Sequence, residues 1–136
     1  MRHVVLDTNA LIQALPTRSI YHKIWSEFLA GKYCMCVSNE ILTEYEEILA
    51  QHTSPEVAHN VVEAIARHPK TVHSESYFHF HLLSHIDNDD DKFVDCAITA
   101  NADYIVTEDS HFNHLKQIPF PQLNVLTLDE FNETLK

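Results

Sequence analysis

"HIDNDDDKFVDCAITANADYIVTED", residues 85–109, is the stretch on which the fold turns. Its second half changes period. In "DKFVDCAITANA" the apolar Phe93, Val94, Cys96, Ala97 and Ile98 fall on one side of a helix. "YIVT" (104–107) is short, β-branched and continuous, as a strand buried on both faces should be. A helix running straight into such a strand is a piece of a parallel α/β sheet. Its first half raises a different question, because crowded carboxylates repel one another and weaken a compact state. Either they form a solvated face or they meet a cation.

The same alternation extends in both directions. "HVVLD" (3–7) reads as a buried strand, and "NALIQAL" and "SIYHKIWSEFLAGK" read as helical, with Gly31 as terminator. "CMCVS" (34–38) is a second strand. "NEILTEYEEILAQH" carries a helical stripe at Ile41, Leu42, Tyr45, Ile48 and Leu49. "SPEVAHNVVEAIARH" opens with Ser54 as cap, Pro55 in the first helical position and Glu56 in the first turn. The pattern weakens up to residue 86, and beyond "YIVT" lie a strand "NVLTL" and a terminal helix from about Asp129. Strands alternating with helices imply a parallel sheet covered on both faces.

Composition narrows the function classes. The chain has 136 residues, 45% of them hydrophobic, which supports one domain over 1–136 with a proper core. A formal charge of −11 with scattered Lys and Arg lacks the clustered basic face of a general nucleic-acid-binding module, unless metal ions neutralise the surface locally. Gly31 is the only glycine, so neither the dinucleotide fingerprint nor the phosphate-binding P-loop is present. Cys34, Cys36 and Cys96 form no CxxC pair, and alternate residues on one strand bridge poorly, which fits a reducing, cytoplasmic setting. Asp7 and Asn9 interrupt the apolar run of "MRHVVLDTNALIQAL", so no signal core or membrane span is expected there.

In open parallel sheets, ligands bind beyond the carboxyl ends of the strands. Asp7 closes the first strand, and Thr107, Glu108 and Asp109 follow "YIV", so acids from distant segments reach one edge. Asp91 and Asp95 share a helix face, and Asp91 falls in the first turn, where a negative charge is favoured. In the 39–52 helix, Glu44 and Glu46 flank the apolar stripe on opposite sides, and periodicity does not choose between them.

The segments "VVLDTNALIQAL", "VSNEILTEYEEIL" and "DDDKFVDCAITANADYIVTEDSHF" resemble a PIN-domain protein of the group labelled as toxin components of toxin–antitoxin pairs. The resemblance is weakest between about residues 54 and 86. It implies an α/β/α sandwich with a central, mainly parallel sheet of four to five strands, and a metal-dependent ribonuclease using Mg2+ or Mn2+. Position by position, the family's acids correspond to Asp7, Glu44, Asp91 and Asp109, which favours Glu44 over Glu46. The roles so implied place Asp7 and Asp109 closest to the metal. Asp91 shares a second ion or a bound water, and Glu44 orients that water. Asp95 is an outer acid, Thr8 and Thr107 are hydroxyl supports, and Asn9 caps the first helix. RNA, an antitoxin protein and a second copy of the chain are the implied partners.

Metal chemistry suits such a set, since divalent ions polarise a phosphodiester and generate the attacking hydroxide. Magnesium takes oxygen ligands, keeping several waters and only one or two carboxylates. Each acid also has a plainer reading. An Asp between strand and helix is commonly an N-cap, the role expected for Asp129. Asp87, Asp89 and Asp90 read as a solvated loop, and Glu46 and Glu47 as surface charges. His79, His81 and His85 lie close together, but eleven histidines are spread over the chain and no cysteine is near, which weighs against a transition-metal site. Lys92, Arg18, Lys23 and Lys116 are sparse candidates for gripping substrate. A phosphoacceptor receiver domain would need an acidic pair after its first strand and a late Lys, and neither is seen. The closer rival is a degenerate PIN domain that binds RNA or protein without cutting.

Overall fold

The computed structural model describes residues 1–75, 91–109, 112 and 123–135. The histidines at 79, 81 and 85, the acids at 87, 89 and 90, and Lys116 lie outside them. Five parallel strands, β1 (His3–Leu6), β2 (Cys34–Val37), β3 (Thr71–His73), β4 (Tyr104–Val106) and β5 (Val125–Leu126), form one sheet in the order β3-β2-β1-β4-β5. Among the described residues six helices accompany it: α1 (Thr8–Ala14), α2 (His22–Leu29), α3 (Asn39–His52), α4 (Pro55–Arg67), α5 (Asp91–Thr99) and α6 (Leu128–Thr134). This is the expected α/β/α sandwich, with its sheet wholly parallel.

Burial explains the strand sequences. Val4, Val5 and Leu6 of β1 and Met35, Cys36 and Val37 of β2 are fully buried. Continuous apolar runs are what helices on both faces demand. The three cysteines are free and buried, and burial pushes the Cys36 and Cys96 thiols up to about 12. No helix among the described residues is long and apolar enough to cross a membrane.

Helix ends follow local chemistry. Gly31, at φ 77°, takes the left-handed position after α2, and its N–H donates to the Phe28 carbonyl at 2.9 Å. Asn101 does the same for α5 at φ 53°, and the Ala102 N–H reaches back to the Ala97 carbonyl at 2.8 Å. Ser54 caps α4 as expected, its hydroxyl accepting from the Val57 N–H at 3.1 Å.

Three details depart from expectation. Strand β3 arises within the weakly patterned stretch and has no buried residue, so it gives no apolar run to read. Thr127, not Asp129, caps α6, in a reciprocal capping box with Glu130. Asp129 sits in the first turn and accepts the Tyr21 hydroxyl at 2.9 Å. Finally, Asp91 and Asp95, which share one face of α5, are buried like the apolar Phe93, Val94, Cys96 and Ala97 rather than set apart from the core. The helix packs against α3 and strands β1, β2 and β4, which leaves little of its circumference to water.

One side chain ties α3 to the sheet. The Tyr45 hydroxyl donates to the Leu6 carbonyl at 2.5 Å, with both residues fully buried. Tyr45→Phe should lower the unfolding free energy by about 1 kcal/mol without changing the denaturant slope. An unchanged urea midpoint would show that this hydroxyl contributes no stability.

Candidate active site

The carboxyl edge of β1 and β4 carries the site. Asp7 is the first residue past β1 and the N-cap of α1, with φ −70° and ψ 166°. Its Oδ1 accepts from the Ala10 N–H at 2.8 Å, and its Oδ2 accepts the Thr107 hydroxyl. The Asp7 N–H in turn donates to the Val106 carbonyl at 3.0 Å. Backbone and carboxylate alike are therefore fastened to the chain leaving β4. The Thr107 oxygen also accepts from the Asp109 N–H at 3.0 Å, so one hydroxyl couples the two acids' segments.

Helix α3 delivers the third acid. Ser38 caps it, accepting from the Ile41 N–H at 3.2 Å, and Tyr45 turned inward fixes its phase. That phase leaves Glu44 half-buried beside the core, while Glu40, Glu46 and Glu47 are exposed. Glu46 lies 3.7 Å from His59 on the surface. The Thr8 hydroxyl donates to Glu44 Oε2, and Lys92 Nζ stands 2.9 Å from Oε1.

Asp7, Thr8, Asn9, Glu44, Ile48, Phe93 and Asp109 line a cleft of about 200 Å3. Burial of Asp7 raises its pKa above the usual carboxylate value, against the lowering effect of the Thr107 and Ala10 hydrogen bonds. The negative charges of Asp109 and Glu44 push it further in the same direction. Asp7 thus feels the charge of both other acids of the cleft.

Asn9 is exposed in the cleft wall and does not cap α1, because Asp7 holds that position. Asp91 and Asp95 are buried on α5 and are not among the cleft-lining residues. Among the described residues no three His, Cys, Asp or Glu side chains stand together as a ready metal cage. The donor set is nonetheless all oxygen, and a hydrated magnesium needs only one or two carboxylates, so Asp7 and Asp109 fit such an ion. The contact between Lys92 and Glu44 has no signature in the local sequence. The two lie 48 residues apart, and no local spacing announces a pair that only tertiary packing creates.

A PIN domain family profile matches residues 3–111. The chain belongs to the PIN domain family. No curated protein sequence matches it. Several solved structures share the PIN fold seen here. VapBC2 from Rickettsia felis, bound to a DNA fragment from its promoter, aligns with TM-score 0.63 and 18% identity over 92% of this chain and 98% of that one. DNA-bound VapBC from Salmonella typhimurium aligns with TM-score 0.63 and 18% identity over 94% and 99%. VapBC-1 from nontypeable Haemophilus influenzae gives 0.60 and 15% over 94% and 99%.

The raised pKa of Asp7 has a signed consequence for stability. Ionised Asp7 costs folding free energy at neutral pH, and that cost fades as pH falls through the raised native pKa towards the ordinary carboxylate value. Asn caps a helix about as well as Asp. In chelator at pH 8, Asp7→Asn should therefore match or exceed wild type in urea melts, with the difference shrinking towards pH 4. A variant clearly less stable at pH 8 would mean that the hydrogen bonds to the charged form outweigh its desolvation.

Proposed function

We propose that this PIN domain hydrolyses RNA phosphodiester bonds with the help of Mg2+ or Mn2+, acting as an endoribonuclease. The observation that carries the reading is the meeting of Asp7, Glu44 and Asp109 at one cleft on the carboxyl edge of the sheet, close enough for the latter two to perturb Asp7. In this reading Asp7 and Asp109 hold the ion, with Asp91 at the start of α5 serving a second ion or a bound water. When bound, the ion would supply Lewis acidity towards the phosphate and lower the pKa of a coordinated water.

The chain's own residues do the positioning. Thr107 fixes the rotamer of Asp7 and the turn that carries Asp109. Thr8 holds Glu44 through Oε2 and Lys92 stands at Oε1, and a remaining lone pair of the carboxylate orients the attacking water. Ile48 and Phe93 form apolar walls that narrow access of bulk water to the cleft. Asp95, buried on α5, and Asn9, exposed at the cleft wall, complete the supporting set.

The VapBC structures that share the fold support a further step, in which this chain is the toxin of a toxin–antitoxin pair, working in the cytoplasm and held in check by a partner protein. With few basic residues around one cleft, we assign substrate grip to a homodimer that joins two clefts into a longer groove.

The test is cleavage of mixed single-stranded and structured RNA by purified protein, with Mg2+ or Mn2+ against chelator. Wild type should cut only with metal. Glu44→Gln should lower the rate by about a hundredfold, the scale for losing a positioned proton-transfer or water-orienting group. Glu46→Gln, changed on the exposed side of the same helix, should leave it nearly untouched. RNA binding without any metal-dependent cutting would favour the non-cleaving PIN domain, and equal effects of the two substitutions would remove Glu44 from the site.

A further inference from the structure

We propose that Lys92 is a tethered counter-cation for Glu44, a positioning residue whose ammonium competes with the divalent ion for the acidic cleft. The inference rests on the metal-dependent reading above. Its geometry is independent of that reading. Lys92 Nζ lies 2.9 Å from Glu44 Oε1, and the Lys92 side chain is only 12% exposed against 26% for Glu44. Lysine is almost never buried unless paired. Its ammonium also stands 5.4 Å from the centre of the Phe93 ring, one of the cleft walls. Thr8 secures the opposite oxygen of Glu44, so the carboxylate is held from both sides.

Position within α5 strengthens the argument. Lys92 is the second residue of that helix, where the positive end of the helix dipole disfavours a cation. A lysine kept there in spite of that cost has its compensation in the carboxylate facing it. A compact ammonium on a flexible stem is suited to this work, since it offers charge without imposing a fork geometry and gives way to a stronger cation. In metal-free protein Lys92 lowers the repulsion among the acids and keeps Glu44 aimed into the cleft. When a divalent ion enters, the two positive charges contend for the same field.

Mn2+ binding by calorimetry, together with melting in chelator, tests this without recourse to activity. Lys92→Met should bind Mn2+ on the order of tenfold more tightly, the scale for removing one nearby charge at a partly buried site. In chelator it should melt below wild type, and saturating Mn2+ should close the gap. Lys92→Arg, whose planar fork grips a carboxylate with two donors, should bind Mn2+ no better than wild type. Lys32→Met, before β2 and so at the opposite edge of the sheet, controls for net charge and should change affinity less than about twofold. In a Glu44→Gln background the gain from Lys92→Met should shrink, because nothing then tethers the ammonium beside the cleft. Mn2+ binding by wild type with unchanged affinity in Lys92→Met overturns the inference alone, as does an equal gain in Lys32→Met. No Mn2+ binding by wild type overturns the metal reading and this inference with it.

Discussion

The pair formed by the Asp7 carboxylate and the Thr107 hydroxyl is the constraint on which the rest of the site depends. It joins the end of β1 to the end of β4, and the same carboxylate starts α1 through the Ala10 N–H. Because the Asp7 N–H also bonds to Val106, neither acid nor turn has freedom to swing. Everything placed around the cleft takes its reference from that junction. Thr8 follows Asp7 by one residue and reaches Glu44, and Asp109 follows Thr107 by two and is held by its oxygen. The sheet edge thus presents Asp7 and Asp109, and through Thr8 it holds Glu44 of α3 beside them.

Such an arrangement is unfavourable in isolation. Burial of Asp7 outweighs its two hydrogen bonds, and its acidic neighbours add to the penalty. Folds tolerate a local loss of this kind when packing elsewhere over-determines the geometry. Here the surrounding core is continuous: Leu6, Leu11, Tyr45, Val94 and Val106 are all fully buried. Lys92 relieves the repulsion from the α5 side, so the structure contains its own partial substitute for an external cation. The question raised by the crowded acids of residues 85–109 thus has a divided answer. Asp109 lines a cleft with Asp7 and Glu44, while Asp91 and Asp95 are buried on α5.

Much of this was legible in the sequence because it is written in period and punctuation. The apolar runs of β1 and β2, the stripe of α3, the Ser54-Pro55 start of α4 and the Gly31 stop after α2 are local signals with local causes. The convergence of Asp7 and Asp109 followed from parallel topology alone. What escaped depends on tertiary context. Strand β3 is short, at the sheet edge and without buried residues, so it lacks the apolar signature. Thr127 competes with Asp129 for one cap, and only the reciprocal bond to Glu130 decides it. Helix α5 is enclosed by three strands and α3, a circumstance that its own periodicity does not encode. The bond between Lys92 and Glu44 unites residues from distant elements and has no sequence shadow at all.

The central claim is that the cleft between Asp7 and Asp109 is where a divalent cation sits. Anomalous diffraction from crystals of the protein grown with Mn2+ would locate that ion directly. The account places a peak within ligand distance of Asp7 and Asp109 carboxylate oxygens, in the space bordered by Glu44. A Mn2+ peak confined to other acidic positions, with the cleft between Asp7 and Asp109 holding water alone, would contradict it.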